Sequence, residues 1–283
     1  MTRVLMALIA ALAALDAGAW GADGHSVTAE IAQRRIAPKT AAEIERLLGR
    51  GHSLASIASW ADDVRDARPD TFNWHFVDIP IDRETYDPAI DCAASNKGDC
   101  IIAELDRLRT QLVCAPTDEA KRDALRYAVH FIGDLHQPLH TVNEEQGGNG
   151  IKVEVEIQPL KCAKCTPRRT QDNLHAVWDT TLIVNTSWNW GAYVNRLEDG
   201  WLATAEARSG TVTDGTPLDW ALATHAVARE MWKLTPPDRV ITTPYYLKAV
   251  PVIDRQLGLA GLRIARFLDD AYATDCAQSR SKK

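Results

Sequence analysis

Between Asp118 and His140 the chain reads DEAKRDALRYAVHFIGDLHQPLH, a helical pattern interrupted by a histidine and an aspartate. Helical spacing puts His130 and Asp134 one turn apart on one face. Their neighbours Phe131, Ile132, Leu135 and Leu139 are apolar. A buried imidazole or carboxylate needs a polar partner or a metal, so the fold must bring further donors to this point. Pro138 ends the helix and sets His140 on the turn that leaves it. A second His-x-x-x-Asp pair, His175 and Asp179 in NLHAVWD, repeats the arrangement. Imidazole and carboxylate aimed at one point are usual zinc donors, although a single such pair is more often a surface hydrogen bond. His136, two residues from Asp134, points to another side of the helix and is expected to be structural.

Elsewhere the apolar spacing is mostly helical, over 24–36, 39–49, 101–114, 118–137, 171–185, 217–233 and 250–275. One stretch, GGNGIKVEVEIQ, alternates Ile151, Val153, Val155 and Ile157 with Lys152, Glu154 and Glu156, a strand period after a glycine-rich turn. The expectation is a mainly α, compact multi-helix domain with one small β-hairpin. Residues 1–19 stand apart. Their apolar run VLMALIAALAAL is shorter than the roughly 20 residues that span a bilayer. Arg3 precedes it and Ala17-Gly18-Ala19 follows, which predicts a cleaved export signal and a mature chain beginning at Trp20. Residues 20–283 then form one domain whose polar tail frays from about residue 277.

Six cysteines, an even number, lie beyond residue 19, and in an oxidising compartment they pair. Cys162 and Cys165 form a CxxC with no second CxxC, which favours a local disulfide over a metal site. The remaining pairing stays open. The net charge of −6 makes the chain an odd candidate for gripping polyanions with its own charge. Metal ions are the alternative source of positive charge. Upstream, SWADDVR and NWHFVDIP supply Asp62, Arg65, His75, Phe76 and Asp78. In isolation these read as a helix cap, a solvated arginine and a core histidine.

Taken in order, Trp20, His25, WAD, WHF-x-D, HFIGD-x-x-QPLH, GGN and NLH-x-x-WD resemble the zinc-dependent single-strand nucleases of the S1/P1 family, relatives of the bacterial zinc phospholipases C. The likeness runs from Trp20 to Asp179. It continues more weakly through YYLKAVPVIDRQLGLAGLRIARFLDD. It implies three Zn2+ ions in a cleft of an α-helical fold. One would take Asp62, His75, His130 and Asp134, and a second His140, His175 and Asp179. The third would take His25, Asp134 as a bridge, and the α-amino group and carbonyl oxygen of Trp20. The resemblance further implies in-line hydrolysis of single-stranded DNA and RNA to 5′-phosphate products, with 3′-nucleotidase activity, by a monomer without stable membrane association.

Carried over in the same way, Asp62 and Arg65 serve catalysis, Arg65 by contacting phosphate. Asn149 contacts phosphate too, its rival reading being a turn residue after Gly147-Gly148. Phe76 and Asp78 form the base site, where a ring stacks and a carboxylate accepts from the base edge. Stacking requires unpaired bases. Gln146 stands where the fungal pocket closes with an apolar residue, which changes base preference. A zinc phospholipase C would share the metal constellation and the N-terminal tryptophan, but Phe76, Asp78 and the strand from Ile151 to Ile157 favour the nuclease. A secreted zinc-binding protein without activity would be expected to have lost a ligand or Arg65.

Overall fold

The computed structural model describes residues 20–281. The expected export signal, residues 1–19, lies outside them. Helices α1 (Ala22–Gln33), α2 (Pro38–Leu48), α3 (Trp60–Val64) and the short α4 (Pro88–Asp91) lead to an antiparallel pair, α5 (Ile101–Cys114) and α6 (Asp118–Leu135). Thr117 starts α6 by accepting the Ala120 amide at 3.1 Å. Pro138 prevents its continuation, and Gln137 before it is already extended. Two short 3-10 helices, Pro69–His75 and Pro138–Thr141, each end in or contain a histidine of the expected ligand set.

The alternating stretch forms β1 (Lys152–Glu156), paired antiparallel with β2 (Thr170–Asn173), Lys152 opposite Asn173. The segment expected as one helix over 171–185 is therefore split. Its first residues are drawn into the sheet, and Asn173 caps a new helical start by accepting the Ala176 amide at 2.9 Å. From there α7 (Leu174–Ala176) widens into a π turn, Val177–Thr181, before α8 (Leu182–Thr186). Helix α9 (Trp190–Asp199) has no counterpart in the sequence reading. Asn189 caps it, and it buries only Tyr193, Val194 and Leu197.

After α10 (Pro217–Lys233), strand β3 (Val240–Thr242) joins β1 in parallel, giving a three-stranded sheet in the order β2-β1-β3 rather than a lone hairpin. The long α11 (Thr243–Ala273) begins seven residues before the expected start at 250 and runs through Pro251. Tyr245 and Tyr246 anchor this extra length. Trp178 Nε1 donates to the Tyr245 hydroxyl at 3.0 Å, and Thr186 shares a 2.7 Å hydrogen bond with Tyr246. Helix α12 (Cys276–Ser281) closes the described chain, its first residue tied to α5 by the Cys114–Cys276 disulfide. The other bridges are Cys92–Cys100 and the local Cys162–Cys165.

Two apolar clusters make the core. One gathers α5, α6 and the second half of α11 around Leu105, Leu125, Phe131 and Phe267. The other packs the sheet, Trp20, Trp178 and Tyr193 against the first half of α11. The last turns of α6 run between them, which sets the buried His130 and Asp134 where both clusters end. Among the described residues no helix is long and apolar enough to cross a membrane.

Candidate metal centre and cleft

His130 and Asp134 have no exposed surface, and three further elements bring donors to them. Asp134 stands between two groups. Its Oδ1 lies 3.1 Å from His25 Nε2 of α1, and its Oδ2 lies 3.0 Å from His75 Nδ1 and 3.2 Å from His130 Nε2. Asp62 approaches the same imidazoles, 3.6 Å from His75 and 3.5 Å from His130. His140, His175 and Asp179 make a separate trio. Within each of the three groups, His25/His130/Asp134, Asp62/His75/His130 and His140/His175/Asp179, the donor atoms lie within 4.8 Å of one another.

The imidazoles are oriented from behind. His130, His140 and His175 each hold Nδ1 2.7 Å from a backbone carbonyl, of Ala58, His75 and Gly147 respectively. Nδ1–H therefore donates and Nε2 is turned into the centre; in His140 and His175 it keeps its lone pair, while in His130 it faces the Asp62 and Asp134 carboxylates and would give up its proton to a bound metal. This makes the 3.1 Å approach of His140 Nε2 to His175 Nε2 informative. Two lone pairs face each other there. A proton between them would put charge on a buried imidazole, and burial together with His140 holds His175 down to about 3. A bound cation relieves both problems.

Several oxygens and nitrogens here are buried without a hydrogen-bond partner among the described residues, including Asp62 Oδ1, His75 Nε2, Asp134 Oδ1 and Asp179 Oδ2. Burial lowers His25, His75 and His140 from the ordinary imidazole range. It would lower His130 as well, but the Asp134 and Asp62 carboxylates hold that residue well above it. The donor set fits metal ions.

Outside this centre a cleft of about 660 Å³ opens, with His75, His140 and His175 in its wall. Arg65, Phe76, Asp78, Gln146 and Asn149 line it too, so the expected substrate residues share one surface with the ligands. Asp78 meets solvent through the cleft yet is crowded by protein. Loss of hydration and the nearby Asp91 and Glu144 push its carboxyl up to about 6. Asn149 also serves the turn. One of its amide hydrogens goes to the Gln146 carbonyl at 2.9 Å, leaving the other for a ligand. Gln146 and Glu145 hold positive φ of 56° and 49°, backbone strain beside the site.

Residues 20–273 match the family described as S1/P1 Nuclease. The chain belongs to the S1/P1 nuclease family. It is similar to Nuclease S1 of Aspergillus oryzae, 29% identical over 92% of this chain and 93% of that protein. Nuclease P1 of Penicillium citrinum is 30% identical over 92% of this chain and 100% of its own length. Endonuclease 4 of Arabidopsis thaliana is 26% identical over 90% of each. Membership makes the protein a nuclease, a hydrolase of phosphodiester bonds.

In this S1/P1 nuclease the remaining histidines lie away from the centre. His136 accepts from Arg263 Nη1 at 2.8 Å and donates to the Ile132 carbonyl, and burial with Arg263 holds it well below the usual range. His225 links the Thr141 and Arg83 carbonyls, and His52 is exposed. Two cations of the basic loop from Lys161 to Arg169 are engaged at their own surface. Arg169 pairs with Glu154 and Glu156, and Lys161 lies over Trp188.

Two groups of residues escaped the sequence reading. Gln137, given no role of its own in the QPLH motif, is fully buried and donates to Asp179 Oδ1 while accepting the Leu139 amide at 2.6 Å. It orients a candidate ligand, and its place beside the QPLH histidine was the available signal. Phe72, Lys97 and Lys152 line the cleft and carry no motif that would mark them, while Asn173, which also lines it, opens the NLH motif but was given no role there.

Proposed function

We propose that this protein is an exported, monomeric three-zinc endonuclease that hydrolyses single-stranded DNA and RNA to 5′-phosphate products and also acts as a 3′-nucleotidase. The observation that carries the metal reading is the pair of facing Nε2 atoms of His140 and His175, each fixed in the metal-binding tautomer by a carbonyl behind it. Asp62, His75, His130 and Asp134 would hold one zinc, His140, His175 and Asp179 a second, and His25, Asp134 and the Trp20 amine and carbonyl a third. When bound, such ions supply Lewis acidity and leave a net charge of about +3 against three carboxylates, which attracts phosphate to an acidic chain.

The chain's own groups do the rest. Arg65, at the cleft rim, offers guanidinium hydrogens to the charge that builds on phosphate oxygens in the transition state. Asn149 offers an amide hydrogen to the same group. Phe76 receives a base against its ring, and Asp78 accepts from the base edge, which selects unpaired strands. Gln137 holds Asp179 in orientation. The three disulfides support export to an oxidising compartment, with cleavage after Ala19 freeing the Trp20 amine.

Release of 5′-mononucleotides from denatured DNA, set beside phosphocholine release from a phospholipid and repeated with a chelator, tests the reading. Nucleotide release that a chelator abolishes is expected. Phosphocholine release alone would make the protein a phospholipase C, and activity indifferent to chelation would remove the metal. His130→Ala is expected to abolish hydrolysis of both nucleic acids. Substantial activity in the folded variant overturns the ligand assignment.

A further inference from the structure

The cleft continues past the base site, toward Arg65 and the loop closed by the Cys92–Cys100 disulfide. Phe72 forms this part of the wall and is 37% exposed, unusual for a large apolar side chain. Two cationic heads lie over its ring, Arg65 Cζ at 5.1 Å and Lys97 Nζ at 5.0 Å from the centroid. Among the described residues neither cation is engaged in an ion pair, whereas the nearby Arg68 and Arg107 are paired with Asp123 and Asp99. Two unpaired like charges gathered on one ring repel each other, and an anion between them removes the repulsion.

The arrangement is built in. The Asn73 amide donates to the Lys97 carbonyl at 2.8 Å, and the Asn73 side chain reaches Ser95 Oγ and the Gly98 carbonyl. Gly98 sits at φ 96°, and any Cβ there would lie 2.6 Å from Trp74 Nε1. Only glycine lets the loop close against the Pro69–His75 turn. The disulfide, the Asn73 bonds and this close approach together fix the backbone that carries Lys97 beside Phe72.

We propose that Phe72 and Lys97 form a second nucleotide subsite, in which Phe72 stacks the base next to the one held by Phe76 and Lys97 contacts the phosphate beyond the scissile one. The inference rests on the nuclease reading and deepens it. The two rings lie 6.0 Å apart at an interplanar angle of 83°. Neighbouring bases can occupy both only if they unstack from each other. A single strand does this readily, and a duplex, whose bases stay parallel, cannot. The pair thus selects for single strands at a second position along the substrate, independently of Asp78.

The test uses zinc-loaded protein beginning at Trp20, with Phe72→Ala, Phe72→Trp and Lys97→Ala, on a single-stranded oligonucleotide and on bis(4-nitrophenyl) phosphate. This small diester carries neither a second nucleobase nor a second phosphate for the subsite to hold. Loss of one stacked base or one phosphate contact is expected to lower the ratio of oligonucleotide to small-diester kcat/KM by about tenfold, through KM. Phe72→Trp restores the ratio. Lys97→Ala is also expected to reduce the slope of log kcat/KM against log salt by about 0.7, the share of one phosphate on a single strand, while Phe72→Ala leaves the slope alone. Unchanged oligonucleotide kinetics in both alanine variants, or an equal loss on both substrates, overturns the subsite while wild-type nucleotide release keeps the nuclease reading. Absence of that release in the wild type overturns the reading, and the subsite with it.

Discussion

At the scale of single residues, Asp78 shows a conflict between stability and recognition. Its carboxyl faces the cleft with Asp91 and Glu144 behind it, and its pKa rises to about 6 from an ordinary 3.8. Asp91 is answered by Arg83, and Glu144 by the Ile81 amide at 2.9 Å. No comparable cation answers Asp78 among the described residues. Because the folded state binds this proton more tightly than the unfolded chain, the group favours folding below pH 4 and loses that contribution as pH rises through 6. Recognition runs the other way, since only the ionised carboxylate accepts from a base edge. Asp78→Asn is therefore expected to be more stable than wild type at pH 8 and hardly different at pH 4, which thermal melts at the two pH values would measure. Its KM for nucleotide substrates should rise, with zinc content unchanged. In the wild type the same KM should climb as pH falls below 6. An equal loss on a base-free phosphodiester would remove Asp78 from the base site.

Among elements, the contact between α1 and α6 sets the geometry around Asp134. Gly133 lacks the side chain that would stand between them. A Cβ there would lie 2.9 Å from His25 Nδ1 and 3.2 Å from its Cε1. Alanine favours the helix over glycine by about 1 kcal/mol, so Gly133→Ala does not weaken α6 itself. Its steric effect falls on His25, which must move away from Asp134. Metal affinity at that position is expected to drop about 10- to 100-fold, as when a ligand's support is lost. Elemental analysis after dialysis should find fewer zincs per chain, with a lower rate. Full occupancy and full rate would show that His25 is not a ligand. Elements of this kind were legible where periodicity was long, as in α5, α6 and α10. The split at residues 170–176 was not, because sheet pairing with β1 outweighs a helical apolar spacing. Nor was α9, a ten-residue helix with a three-residue apolar face.

For the whole molecule, the site is a convergence. His25 comes from α1, Asp62 from α3, His75 and His140 from two 3-10 turns, His130 and Asp134 from α6, and His175 and Asp179 from the helical segment after β2. The paired donors could be read from the sequence because a helix places i and i+4 together. Phe72 and Lys97 could not, because a disulfide loop and a glycine at positive φ unite them, and neither leaves a period. Trp20 belongs to the same convergence. It is fully buried, and the Gly21 amide next to it donates to the Asp179 carbonyl at 2.8 Å. Elements that meet at buried, like-polarity donor atoms are held apart by them until cations arrive, so zinc binding should be folding energy for the entire domain. At free zinc a thousandfold above its dissociation constant, each site adds about 4 kcal/mol. Chelation is expected to lower the melting temperature of the chain beginning at Trp20 by many degrees, and native mass spectrometry should count three zincs before it and fewer after. A chain that keeps residues before Trp20 has a peptide nitrogen where the amine would be, and a peptide nitrogen has no lone pair to offer. It should bind one zinc fewer, melt lower and turn over more slowly. If the extended and trimmed chains matched in zinc count, melting temperature and rate, the N-terminal amine would not be a ligand, and the third site would have to be completed by other groups.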